Sequence, residues 1–272
     1  MFEEMKLRSF IIYLVIAFII LGGTLSILNL ESNMSAEMIA TLIIFVLFPL
    51  FWFNIQMKKH DMHLKDVISW SGVTKKMPSL LLITLTIMLF SLSFFWIQTY
   101  LFSIIAPEFA KKQLSFAVEI NKEYESATGL QILGVILSTS LVAPIAEEFI
   151  FRGFFLKRIA KKTNIIVSLI ITNVLFAILH VDYIGAFMFG LLLSLIYLKT
   201  NNLLLPILIH FFNNFSLSLL ALFKVPMPDF LNYTDIDQVA SFMIPNLIMG
   251  LISLPFLVYY LYTYRLKKHP TV

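Results

Sequence analysis

Apolar stretches long enough to cross a membrane recur along this 272-residue chain, and no other feature constrains its fold so tightly. They fall at about 10–30, 38–57, 78–106, 129–156, 164–181, 183–199, 203–223 and 239–263. A helix rising ~1.5 Å per residue needs ~20 residues to cross a ~30 Å hydrocarbon core. Inside that core no water satisfies the backbone, so a crossing segment is helical or belongs to a closed barrel. The ten-residue segments of alternating polarity that mark a barrel are missing. Composition agrees, with 59% hydrophobic and 13% charged residues against about 25% charged in a soluble domain. The expectation is an all-α polytopic membrane protein of about eight transmembrane helices, one membrane domain over 1–272.

Charge gives an orientation. With the N-terminus inside, the segments on that side carry 15 Lys and Arg and those opposite carry 4. By the positive-inside rule both termini are expected in the cytoplasm. The same rule accounts for the net charge of +4, so no nucleic-acid partner is expected; the bilayer is. The first run has a basic start, exceeds a signal sequence in length and lacks a small-residue cleavage site, so it is expected to be retained. With no cysteine in the chain, disulfides, thiolate ligands and a cysteine nucleophile drop out. The mixed-charge loop 107–128 is expected to form an interfacial helix. His60 and His63, among lysines, read as a solvated loop.

The fourth run breaks the apolar rule. LVAPIAEEFIFRGFFLKR (141–158) places Glu147, Glu148 and Arg152 in one span, where each charge costs at least ~2.5–3.5 kcal/mol. Glu148 and Arg152, four apart, share a helix face and are expected to pair. Glu147 is rotated ~100° from Glu148 and keeps no cation of its own. A carboxylate so placed is expected to titrate high and to serve as a general base or acid. Pro144, just before it, is expected to bend or widen the helix.

Two of the five histidines, His180 and His210, lie within or at the edge of spans, and Asn214 follows His210 by one turn. Counted from Leu203, His210 and Asn214 lie ~10 and ~16 Å deep, close to the ~15 Å of Glu147 from Lys157. His180, counted from Asn164, comes out at ~24 Å. That mismatch requires a later start for the fifth span or a fourth span that protrudes.

Together, Glu147-Glu148-x-x-x-Arg152, Phe176-x-x-x-His180 and His210-x-x-x-Asn214 resemble the three motifs of the CAAX protease and bacteriocin-processing family of intramembrane endopeptidases, bacterial type. The resemblance covers about 129–224, the motif-bearing core. It implies eight helices around a cavity open to the cytoplasm, in a bacterial plasma membrane, and cleavage of a peptide bond in a peptide or membrane-protein substrate. It implies catalytic roles for Glu147, as general base on water, His180, His210 and Asn214, the last two binding the oxyanion. Glu148 and Arg152 would form a structural ion pair. Nothing in the sequence implies a prenylated substrate. No cofactor is favoured; zinc held by Glu147, His180 and His210 is the alternative, although no HExxH motif is present. Two other classes stay open. One is a non-catalytic scaffold or self-immunity factor; the other is a proton-relay transporter, which would be expected to carry inverted repeats.

Overall fold

The computed structural model describes residues 2–27, 40, 42–126, 129–223, 225–231 and 235–266. Among the described residues the chain is helical with no strand. After a short turn at Phe2–Glu4, the first helix α1 (Leu7–Ile27) is apolar all round and mostly faces outward. α2 (43–59) opens as a π-helix, Ile43–Leu47, and continues as an α-helix, Phe48–Lys59. The expected second span, 38–57, lies partly outside the described residues. α3 (Val73–Ile105) is followed by α4 (Pro107–Ser126), the helix expected of the 107–128 loop.

α5 (129–162) carries the first motif, α6 is Ile165–Ile178, α7 Tyr183–Thr200 and α8 Leu204–Leu222. The short α9 (Ile236–Val239) leads into α10 (Met243–Tyr264). Five helical stretches are long and apolar enough to cross a membrane: Leu7–Thr24, Val73–Ile105, Gln131–Lys162, Tyr183–Thr200 and Met243–Tyr264. Ile165–Ile178 and Leu204–Leu220 are apolar but shorter. Length alone therefore supports five spans among the described residues rather than the eight expected, and the protein is an integral membrane protein.

Local chemistry sets the boundaries. Asn164 caps α6 by accepting from the Ile166 and Val167 amides at 3.0 and 2.9 Å, satisfying donors that a helix start leaves open. Asp182 caps α7 through the Gly185 amide. At the far end of α7, Asn201 takes the left-handed conformation, φ 49°, which asparagine tolerates at a helix stop.

α3 is the central post, packed against α10, α7, α8 and α4. One apolar core gathers Ile83, Ile87 and Phe90 of α3 with Phe151, Phe176, Phe189 and Leu193. A second is aromatic: Phe2, Phe10, Trp52, Phe53, Phe149 and Phe154 meet with ring centroids 4.9–6.2 Å apart, the range in which edge-to-face pairs add to burial. The ring of Phe2 fills the space where a Cβ on Gly153 would sit, 3.0 Å away. Arg158 donates to the Glu3 carbonyl, and Lys161 pairs with Glu4 and holds that carboxyl below its usual range. The first residues thus dock under the motif-bearing helix, a contact across some 150 positions that no local pattern announces.

Candidate active site

α5 is not a uniform helix. A π stretch, Leu137–Val142, precedes the α turn Ala143–Glu148, and a second, Phe149–Phe155, follows it. Pro144 supplies a reason. The Ala143 amide donates to the Ser138 carbonyl, one residue further back than an α-helix requires, and proline has no N–H to offer Thr139. The Thr139 carbonyl accepts from Asn214 Nδ2 at 2.9 Å instead. Asn214 therefore fastens α8 to the widened turn of α5, and Ser140 and Ser218, 3.1 Å apart, add a second tie beside it.

Glu148 and Arg152 pair as expected: Arg152 Nη1 donates to Glu148 Oε1 at 2.9 Å, with both side chains fully buried. The same Oε1 also takes His210 Nδ1 at 2.8 Å. An ionised carboxylate only accepts, so His210 Nδ1 carries the proton there. Spacing had assigned Glu148 to Arg152 alone; the structure makes it the anchor of His210 too.

Phe176 is the hub of the second motif. Its ring face lies 4.4 Å from the Arg152 guanidinium carbon and its centroid 4.4 Å from that of His180. Among the described residues Arg152 Nε and Nη2 have no hydrogen-bond partner, so the ring's negative face is what meets that side of the cation. A Cβ on Gly190 would come within 2.6 Å of Asn173 Oδ1 and 3.2 Å of Arg152 Nη2. The Asn173 side chain, more than the guanidinium, leaves room only for glycine there. Phe189, its neighbour, packs edge-on to His210 at 5.0 Å. Neither residue stood out in the sequence.

Glu147 stands apart from this knot. Its side chain keeps 29% of its surface, against 0% for Glu148, and its Oε2 is 4.0 Å from His210 Nε2, too far for a direct hydrogen bond. His180 Nδ1 bonds the Phe176 carbonyl at 2.8 Å. A carbonyl only accepts, so this nitrogen is the donor and Nε2 keeps its lone pair.

The depth mismatch has a structural answer. α6 starts at Ile165, where Asn164 caps it, but α5 runs on to Lys162 instead of stopping near Lys157. Counted from Lys162, Glu147 lies about 22 Å in, level with His180. α8 begins much deeper: His210 is six residues from Leu204, about 9 Å, yet it bonds Glu148. The α5–α6 corner thus stands about 12 Å proud of the start of α8.

No group of three His, Asp or Glu side chains among the described residues is placed to hold a metal ion. Glu148, with His210 Nδ1 and Arg152 on one oxygen, is unsuited to ligation. No step below is routed through a metal.

Residues 129–216 match a protein-family model described as type II CAAX prenyl endopeptidase Rce1-like. All seven motif residues lie inside the match. The segment that carries the three motifs is thus similar to that endopeptidase family. A Bacillus subtilis (strain 168) protein named putative membrane peptidase YdiL is 31% identical over 83 residues, 29% of this chain. The chain spans about a third, 34%, of that relative's length. No solved structure matches the chain. The similarity rests on the segment that carries Glu147, His180 and His210.

Proposed function

We propose that this protein is an intramembrane endopeptidase acting on a membrane-associated peptide or protein, with both termini in the cytoplasm of a bacterial cell. The observation that carries the reading is the division of the two glutamates. Glu148 is consumed by Arg152 and His210, while Glu147 is half-open and faces His210 Nε2 across 4.0 Å. Oε2 is buried with no hydrogen-bond partner among the described residues, and a water bridging it to Nε2 would sit beside the line joining them, about 2.8 Å from each.

In this reading Glu147 takes a proton from the water as its oxygen attacks the scissile carbonyl. The carbonyl π electrons move to oxygen, giving a tetrahedral oxyanion. His210, held by Glu148 through Nδ1, donates to that oxyanion from Nε2 when doubly protonated, and the Asn214 side chain adds an amide donor. Collapse restores the carbonyl and breaks the C–N bond, and the proton on Glu147 passes to the leaving amine with His180 assisting through Nε2. Water is consumed and two peptides leave. The family description and the name of the Bacillus relative support peptide-bond hydrolysis; neither sets the substrate here.

The test is to compare the membrane peptidome of cells carrying the wild type, Glu147→Gln and His180→Ala. The expected result is normal accumulation of both variants and a loss of ~10²–10⁴-fold in product peptides. Wild-type product from both would leave a non-catalytic scaffold as the reading. Stringent chelation is expected to leave the wild-type activity intact, and a loss restored only by added zinc would overturn the glutamate mechanism.

A further inference from the structure

His180 does not sit on a helix. α6 ends at Ile178 and closes in a tight turn, the Leu179 and His180 amides donating to the Phe176 and Ala177 carbonyls. The imidazole thus stands on the connection between α6 and α7, and a proton-handling group needs its orientation fixed to a fraction of an ångström. The next residue shows how it is held. The Val181 carbonyl accepts from two amides on different helices, Gln98 Nε2 of α3 at 2.7 Å and Gln113 Nε2 of α4. Both glutamines are buried, with 1% and 6% exposure. Gln98 also accepts the Ile184 amide on Oε1 at 3.3 Å, so one side chain spans the turn. Asp182 accepts from the Ser91 hydroxyl of α3, and the Tyr183 ring lies 6.3 Å from those of Phe102 and Phe109.

We propose that Gln98 and Gln113 are positioning residues for His180, fixing through the Val181 carbonyl the turn that carries its imidazole. One donor would satisfy that carbonyl against desolvation. Two donors converging from separate helices also fix the turn sideways, since a carbonyl oxygen held at both lone pairs cannot swing toward either helix. Because Gln113 lies on α4, that helix outside the 129–216 segment becomes part of what sets the histidine's position. The inference rests on the peptidase reading above.

The test uses purified full-length protein and a quenched fluorogenic peptide. Its sequence is taken from a site cut in wild-type membranes and spared in Glu147→Gln membranes. Gln98→Met and Gln113→Met keep side-chain length and remove the donor. The expected result is a kcat lower by about tenfold to a hundredfold, with KM unchanged and the thermal unfolding of Gln113→Met close to wild type. Gln113→Asn, which keeps a donor, is expected to recover part of the kcat. Wild-type kcat in both Met variants, with Glu147→Gln inactive, overturns the positioning role and leaves the peptidase standing. So does a kcat loss that only follows the fraction of folded protein. If Gln98→Met fails to accumulate, Gln113→Met decides. Wild-type cleavage by Glu147→Gln and His180→Ala would instead remove the peptidase reading, and this one with it.

Discussion

α3 and α5 are helical stretches of nearly equal length, 33 residues for Val73–Ile105 and 32 for Gln131–Lys162, and each contains a proline. Pro78 leaves α3 a continuous α-helix, whereas the turn around Pro144 is widened on both sides. Pro78 and Thr74, whose carbonyl the proline frees, are exposed near the start of α3, where water can take the lost bond. Pro144 is buried, while Thr139, whose carbonyl it frees, lies at an exposed position where a side chain of α8 donates to it. Asn214 is that donor. The hydroxyls are divided: in α3, Thr84, Thr86 and Thr99 bond back to their own helix, to Leu80, Leu82 and Phe95, while Ser91 and Ser93 reach out to Asp182 and to the Asn246 carbonyl of α10. In α5 the polar groups reach across to α8. A proline in a membrane helix opens a site only where a neighbouring helix supplies what it removed.

Three substitutions would break or sharpen this contrast. Arg152→Ala strands Glu148 and His210 in a dry pocket, and removing one partner of a buried pair costs ~3–5 kcal/mol. The expected outcome is protein that fails to accumulate in membranes; a stable but inactive variant would move Arg152 into the chemistry. Asn214→Ala takes the donor from the Thr139 carbonyl and is expected to cost about 1–3 kcal/mol in thermal unfolding, beside any loss of activity. Unchanged stability would mean that the widened turn needs no help from α8. Thr84→Val in α3 removes a hydroxyl that only returns to its own helix, and a change under about 1 kcal/mol is expected. A larger one would show that α3, too, depends on its polar groups.

The sequence made the motif chemistry legible because it is local. Glu148 and Arg152 are one turn apart, and two carboxylates with one arginine already implied a division of roles. Pro144 announced a widened helix. The helical class followed from run length alone. What escaped was contact between distant residues: the Glu148–His210 bond across 62 positions, the Gly190 gap beside Arg152, and Phe2 against Gly153. Run length alone did not show where the helices end, for a related reason. Counting from the run ends assumed helix ends level at one plane, while α5 overshoots and α8 starts deep. The apparent misplacement of His180 measured that step.

The seat of Phe2 against Gly153 has a consequence for biosynthesis. At ~5–20 residues per second, the ribosome needs roughly 10–30 s to make the partner of a ring that emerged first. During that wait α1 has to stand in the bilayer without its aromatic neighbours from α5. Its described side chains are apolar nearly throughout, and only 11% of the Leu7–Thr24 stretch is buried even in the finished fold. Lipid alone is sufficient company for it until the middle of the chain arrives.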